Sequence, residues 1–335
     1  MKKIFFLVGF IAVSCFFLWT KLISITLVLL FFLDSLTICV LPSKIRKLIP
    51  SKIYKILRLV YLFLFPVLLS IFFRTFFLDI YYVPSKSMER TLFPGDYVVV
   101  NKIGYGVKLP IHLRNIPVVG NLFKPPVNEY NLYQSLKGCK KLNREDVVVF
   151  KAVDNSDKFL IKRIIGMPSD TLKIVNGNVF INNKMLLTKD NYSYEYIGNE
   201  VRNVTTIKNI SEKEFSLISD RERKIFSKNI RTEPNFNYFL FPRNKQDFWT
   251  IDNYGSLIIP KKGFSIQLNK ENIDMYKTTA LKFEDVDLEN YTKDFYTFTK
   301  NYFFMLGDNR HNSIDSRSFG FVPEDFIQGK MISIL

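Results

Sequence analysis

The sequence predicts N-terminal transmembrane helices followed by a mainly antiparallel β domain that carries a large inserted region. Three observations lead there. Apolar runs bordered by Lys and Arg fill residues 1–80. Beyond them the apolar residues gather in short β-rich runs at 97–101, 146–150 and 159–165. The stretch 172–181 reads as two alternating runs joined by Asn176-Gly177, a hairpin signal because both central positions of that turn need positive φ. Helical spacing of apolar residues is not sustained anywhere after residue 80.

In the first 80 residues, Ile4 to Thr20 is uncharged, and Leu22 to Leu41 is interrupted only by Asp34. Each run approaches the roughly 20 residues that span a bilayer. Joined end to end they are too long for one upright span, so a tight hairpin with Lys21 at its outer turn is favoured. Met1-Lys2-Lys3 before an apolar run is also how a cleaved leader begins, but a second apolar run follows, which favours a retained anchor. The segment 42–58 then carries Lys44, Arg46, Lys47, Lys52, Lys55 and Arg58 with no acid, the mark of a cytoplasmic loop. Leu59 to Phe73 forms a third apolar run containing Pro66, and Arg74 near its end can snorkel to the headgroups. Residues 1–80 are thus a membrane anchor of two or three helices, and residues 81–335 an extracytoplasmic domain in which 185–300 is an insertion or subdomain.

The 335 residues carry a net charge of +16 and are 47% hydrophobic, too apolar for a disordered chain. Ten basic and two acidic residues in 1–80 account for +8 of that charge. Half of the excess therefore sits where the sequence is most apolar, which points to membrane insertion and away from nucleic acid. The three cysteines, Cys15, Cys39 and Cys139, cannot build a disulfide framework in the soluble part. His112 and His311 lie far apart with no Cys or His at ligand spacing, which argues against a zinc site.

Chemistry-bearing residues concentrate just past the last apolar run. Ser85 and Ser87 are two apart on a stretch read as extended, so their side chains share a face. A serine nucleophile needs a base, and two candidates compete. His311, near Asp308 and Asp315, would make a Ser-His-Asp triad with Ser87. Lys162 stands in an otherwise apolar strand, where burial disfavours the ammonium form and lowers the pKa as a lysine base requires. Without further context, a lysine whose stem packs on the sheet and whose head reaches water is the commoner arrangement.

Four segments in order, PSKSMERTLFPGD (84–96), REDVVVFK (144–151), FLIKRIIGMPSD (159–170) and GDNRHNSIDSRSFGFVPED (307–325), closely resemble the boxes of the bacterial type I signal peptidases. The resemblance implies a signal-peptidase-like β fold and a multi-pass serine endopeptidase of the cytoplasmic membrane. Such an enzyme cuts signal peptides from exported precursors after small residues, on the extracytoplasmic side. Carried over by motif, Ser87 is the nucleophile and Lys162 the general base. Ser85 then helps bind the oxyanion, and Ser313 orients the lysine. Asp308, Arg310, Asp315 and Arg317, with Arg163, match the charged support of the site, and Val83, Pro84, Met88 and Ile161 the pocket. The implied partners are precursors, membrane lipid and the secretion translocon, and no cofactor or metal is called for. Lys86, Arg90, Ser169 and His311 depart from the usual family residues, Arg90 standing where a proline is common. The alternative is a catalytically silent membrane scaffold that binds signal peptides.

Overall fold

The computed structural model describes residues 50–335 apart from 54, 57–69, 71–72, 75, 106–107, 111–132, 136–137, 139, 154–157, 201–203, 234–238 and 244–248. The first two apolar runs, most of the third, His112 and Cys139 lie outside the described residues. Among the described residues no helix is long and apolar enough to cross a membrane. Arg74, expected to reach lipid headgroups, donates from Nε to Asp79 Oδ1 at 3.0 Å. The chain divides between Ile80 and Tyr81 into two compact units, and the one of Tyr81–Ile111 with Pro125–Leu335 holds the site.

A seven-stranded sheet forms the frame. Its strands are β1 (Leu78–Tyr82), β2 (Tyr97–Asn101), β3 (Val147–Lys151), β4 (Phe159–Gly166), β5 (Tyr302–Leu306), β6 (Val322–Pro323) and β7 (Ile327–Ile334). They lie in the order β1-β2-β7-β3-β4-β5-β6. The Val, Ile and Phe runs suit a pleated sheet, and β3 is buried at every position, so it reads as continuous apolar sequence instead of an alternation. Alternation still sorts its side chains. Val147 and Val149 join a small apolar cluster with Val83, Met88, Leu92, Val98, Val100 and Ile161. Val148 and Phe150 join the larger core around Ile164, Tyr254, Phe304 and Phe321.

Strand β4 crosses the middle of the sheet, with Lys162 opposite Val148 and Arg163 opposite Val147. On its other side β5 pairs only with the end that runs from Arg163 to Gly166. Among the described residues, the stretch Phe159–Lys162 therefore has a strand partner on one side alone.

The Asn176-Gly177 hairpin forms as the sequence predicts. Val175 pairs with Asn178, and the two turn residues have φ of 49° and 76°. Tyr254–Ile258 adds to the same sheet by pairing with Thr171–Val175, so part of 185–300 is knitted into the core. Upstream, Ser193–Glu200, Val204–Ser211 and Phe226–Lys228 make a separate three-stranded sheet.

One expectation is overturned: a 15-residue helix runs from Lys270 to Glu284. Its buried residues Met275, Tyr276, Thr279, Ala280 and Phe283 do follow helical spacing. The stripe is weak to the eye because Thr and Ala hold two of its positions. Asn269 caps the start by accepting from Asn272 N, and Asp285, with φ 56°, ends it in the left-handed region.

Candidate active site

Past β1, Val83 pairs through its backbone with Asp96 and Gly95, which brings the chain back beside the sheet. Ser85 is extended, with φ −130° and ψ 162°, but Lys86–Met88 forms a turn of 3-10 helix. This corrects the reading of an extended stretch through Ser87. The turn still brings the two serines together, with Ser85 Oγ 3.2 Å from Ser87 Oγ. Ser87 is buried and Ser85 and Lys86 are exposed, so the nucleophile candidate points inward from a surface segment.

Lys162 reaches that serine from β4. Its Nζ lies 2.7 Å from Ser87 Oγ and 3.0 Å from Ile161 O. The side chain is buried at 4% exposure, and burial lowers its pKa to about 8 against the opposing pull of Asp315 and Asp308. Those carboxylates are themselves claimed by arginines. Asp308 accepts from Arg163 Nε at 2.8 Å and Nη2 at 2.5 Å; Asp315 accepts from Arg317 Nε at 2.9 Å and Nη2 at 2.8 Å. Burial opposes ionisation of Asp315, yet the Arg317 guanidinium holds its carboxyl below the ordinary range. Each pair is close to neutral, so desolvation decides the state of Lys162.

The segment after β5 is pinned beneath the nucleophile. Asn309 N donates to Ser87 O at 3.1 Å, and Gly307 N donates to Asp315 Oδ2 at 3.1 Å. A Cβ on Gly307 would come within 2.2 Å of Ser313 Oγ and 2.5 Å of Ser87 O, so only glycine lets the backbones approach this closely. Ser313 Oγ is buried there without a hydrogen bond to Lys162, so the orienting contact implied by the resemblance is not formed in this structure. Arg310 is buried with its guanidinium 4.1 Å from the Tyr192 ring centre, and Arg317 Nη2 donates to its carbonyl at 2.6 Å.

His311 stands elsewhere. Its Nδ1 accepts from Glu195 N at 2.8 Å, so the ring proton sits on Nε2, which faces both Asp252 oxygens at 3.0 Å. Neither nitrogen is free for Ser87. The Ser-His-Asp competitor is therefore excluded on geometry.

Of the residues that the resemblance assigns to a pocket, Val83, Met88 and Ile161 share the small apolar cluster next to Ser87, whereas Pro84 is exposed. Sequence reasoning missed Thr91, Asn191 and Gly307. Thr91 Oγ1 donates to Asp308 Oδ2 and accepts from Asn191 Nδ2 at 2.6 Å, which ties the nucleophile turn to the charged support. No motif signals a contact between residues 100 positions apart.

The profile of the signal peptidase family, peptidase S26, matches residues 56–247 and 252–335. The chain belongs to that family. It is 32% identical over 299 residues to signal peptidase I of Buchnera aphidicola subsp. Baizongia pistaciae (strain Bp), covering 88% of this chain and 81% of that one. It is 31% identical over 271 residues to signal peptidase I of Haemophilus influenzae, covering 80% and 66% respectively. A solved signal peptidase I of Enterococcus faecalis V583 matches at 19% identity with a TM-score of 0.24, covering 58% of this chain and 98% of that one.

The buried lysine of this signal peptidase has a consequence for stability. Its pKa falls from 10.5 to about 8 on folding. Below pH 8 the ammonium is charged in both states and the net cost of its site, desolvation less the pull of the two aspartates, is about 3 kcal/mol and acts in full. Between about 8 and 10.5 the unfolded chain binds the proton and the folded chain does not, so stability rises with pH. Lys162→Met is therefore expected to raise the unfolding free energy at pH 7 by up to about 3 kcal/mol while abolishing turnover. Denaturant melts of both forms at pH 7 and pH 11 check this, the gain fading at the higher pH.

Proposed function

We propose that this signal peptidase works through a Ser87 nucleophile and a neutral Lys162 base to cut N-terminal signal peptides from exported precursor proteins. The 2.7 Å contact between Lys162 Nζ and Ser87 Oγ carries the reading. When the lysine is neutral it accepts the hydroxyl proton as Ser87 Oγ attacks the scissile carbonyl carbon. The Ser87 backbone N–H and the Ser85 hydroxyl stabilise the oxyanion that forms. Lys162 then gives the proton to the departing amine, leaving an acyl ester on Ser87, and takes a proton from the water that hydrolyses it. Asp308 with Arg163 and Asp315 with Arg317 fix geometry and transfer no proton. A silent scaffold has no use for a desolvated lysine against a serine, and that geometry favours the enzyme.

The precursor binds as an extended strand. The stretch of β4 before Arg163 is paired with β3 on one side and has no strand partner on the other among the described residues, so it offers backbone for strand addition. Val83, Met88 and Ile161 are buried to 8% exposure or less, so they form a shallow floor suited to small side chains one and three positions before the cut. The apolar runs before residue 80 would anchor the enzyme as a multi-pass protein of the cytoplasmic membrane. Its basic loop would then lie inside and residues 81–335 outside, next to lipid and the translocon that delivers precursors.

Purified enzyme in detergent, assayed on a precursor, tests this reading. kcat/KM is expected to rise about tenfold per pH unit below about 8 and to level above it, because only neutral Lys162 can act as base. Ser87→Ala, Lys162→Ala and Lys162→Arg should each lose essentially all turnover, since a guanidinium does not deprotonate, and His311→Ala should retain most of it. Loss of cleavage in a folded His311→Ala protein that Lys162→Ala does not share would overturn the dyad. Phe placed one or three residues before the cut should sharply reduce cleavage, and unchanged rates would show that the pocket is elsewhere.

A further inference from the structure

The segment that follows the nucleophile is anchored residue by residue. Met88 and Leu92 are buried in the small apolar cluster, Glu89 Oε2 accepts from Asn309 Nδ2 at 3.2 Å, and Thr91 joins Asp308 and Asn191. Arg90 breaks the local rule. Glu89 has φ −50° and ψ 142°, Arg90 has φ 79°, and Thr91 N donates to Met88 O at 3.0 Å, which together make a type II turn with Arg90 at its third position. That position favours glycine because a Cβ is strained at positive φ. Proline, locked to negative φ, cannot take this conformation.

What offsets the strain is the other end of the side chain. Arg90 Nη1 donates to Glu214 Oε1, and Nη2 donates to Asn209 O at 3.2 Å. Glu214 is a fixed partner. Its other oxygen accepts from Ser211 N at 2.9 Å in a capping box that starts the helix Glu212–Leu217, and Phe215 of that helix stacks on Tyr196 at 4.3 Å. Arg90 therefore reaches from the nucleophile turn to a rigid corner of the inserted region.

We propose that Arg90 and Glu214 are positioning residues, a tether by which the inserted region holds the Ser87 turn in register with Lys162. The proposal rests on the Ser87 and Lys162 reading above. It makes the insertion a working part of the site, with Arg90 its attachment point. Misplacing the serine hydroxyl by a fraction of an ångström against the lysine slows proton transfer, while the Met88 side chain stays packed with Val83 and Ile161 in the pocket floor, so kcat should respond more than KM.

Arg90→Gly suits the turn's backbone and deletes only the tether. In precursor cleavage it is expected to lose about tenfold in kcat with KM within about twofold of the parent, and with a melting temperature unchanged or higher. Glu214→Gln, which keeps the shape that caps the helix, should lose kcat in the same direction, and the double variant should be no slower than Arg90→Gly alone. A parental kcat in Arg90→Gly, a loss that tracks a fall in melting temperature, or multiplicative losses in the double variant would overturn the proposal. A precursor left uncut by the parent enzyme would instead sink the dyad reading. The tether is tested apart from cleavage by amide hydrogen exchange in a Ser87→Ala background. There Arg90→Gly should speed exchange at Thr91 and Leu92, whose N–H groups bond Met88 O at 3.0 and 2.8 Å, and unchanged exchange would overturn the tether.

Discussion

A lysine ammonium taken out of water and set 2.7 Å from a serine oxygen is the constraint around which the site is arranged. Burial disfavours the charge, but Asp308 and Asp315 pull the other way. Left unpaired, those two carboxylates would favour the ammonium form more strongly. Each is instead engaged by an arginine through two nitrogens, Arg163 for Asp308 and Arg317 for Asp315. Buried ion pairs of this kind add little net stability, and breaking one by removing a partner is strongly destabilising. Here the two guanidiniums offset the charge of the two carboxylates that act on Lys162.

The same constraint explains the packing below the nucleophile. Ser87 O is held by Asn309 N, and the glycine two residues before Asn309 lets the backbones meet. Strand β4 supplies Lys162 and Arg163 as neighbours, so alternation along one strand sends one to the serine and the other to Asp308. A slip of one residue in β4 would put a guanidinium, which does not deprotonate, beside Ser87 in place of the lysine.

Much of this was legible in the sequence, for identifiable reasons. Val-rich runs and Asn176-Gly177 are local signals, and the strands and hairpin formed where they stand. Lysine in an apolar run left two readings, a desolvated head or a head that reaches water, and the 4% exposure of Lys162 decides for the first. Residue types alone left the choice between Lys162 and His311 open; the motif resemblance favours Lys162, and the engagement of both His311 nitrogens by Glu195 and Asp252 is in keeping with that choice. The helix Lys270–Glu284 was missed because its buried stripe uses Thr and Ala. The 3-10 turn at Lys86–Met88 was missed because the chain is extended up to Ser85 and bends only where distant groups grip it. Thr91, Asn191, Glu214 and Gly307 act through neighbours remote in sequence, and no spacing rule reaches that far.

The charge of one side chain, Lys162, is the property on which the proposed chemistry depends, and it can be read directly. With lysine Nζ labelled with nitrogen-15, the Lys162 resonance is assigned by comparison with Lys162→Met and followed by NMR across pH 6 to 12 in the full chain. A titration centred at about 8 is what burial against Ser87 requires. A titration near the ordinary 10.5 would mean that the ammonium is well solvated or held charged by Asp308 and Asp315, and the lysine-base mechanism would fail.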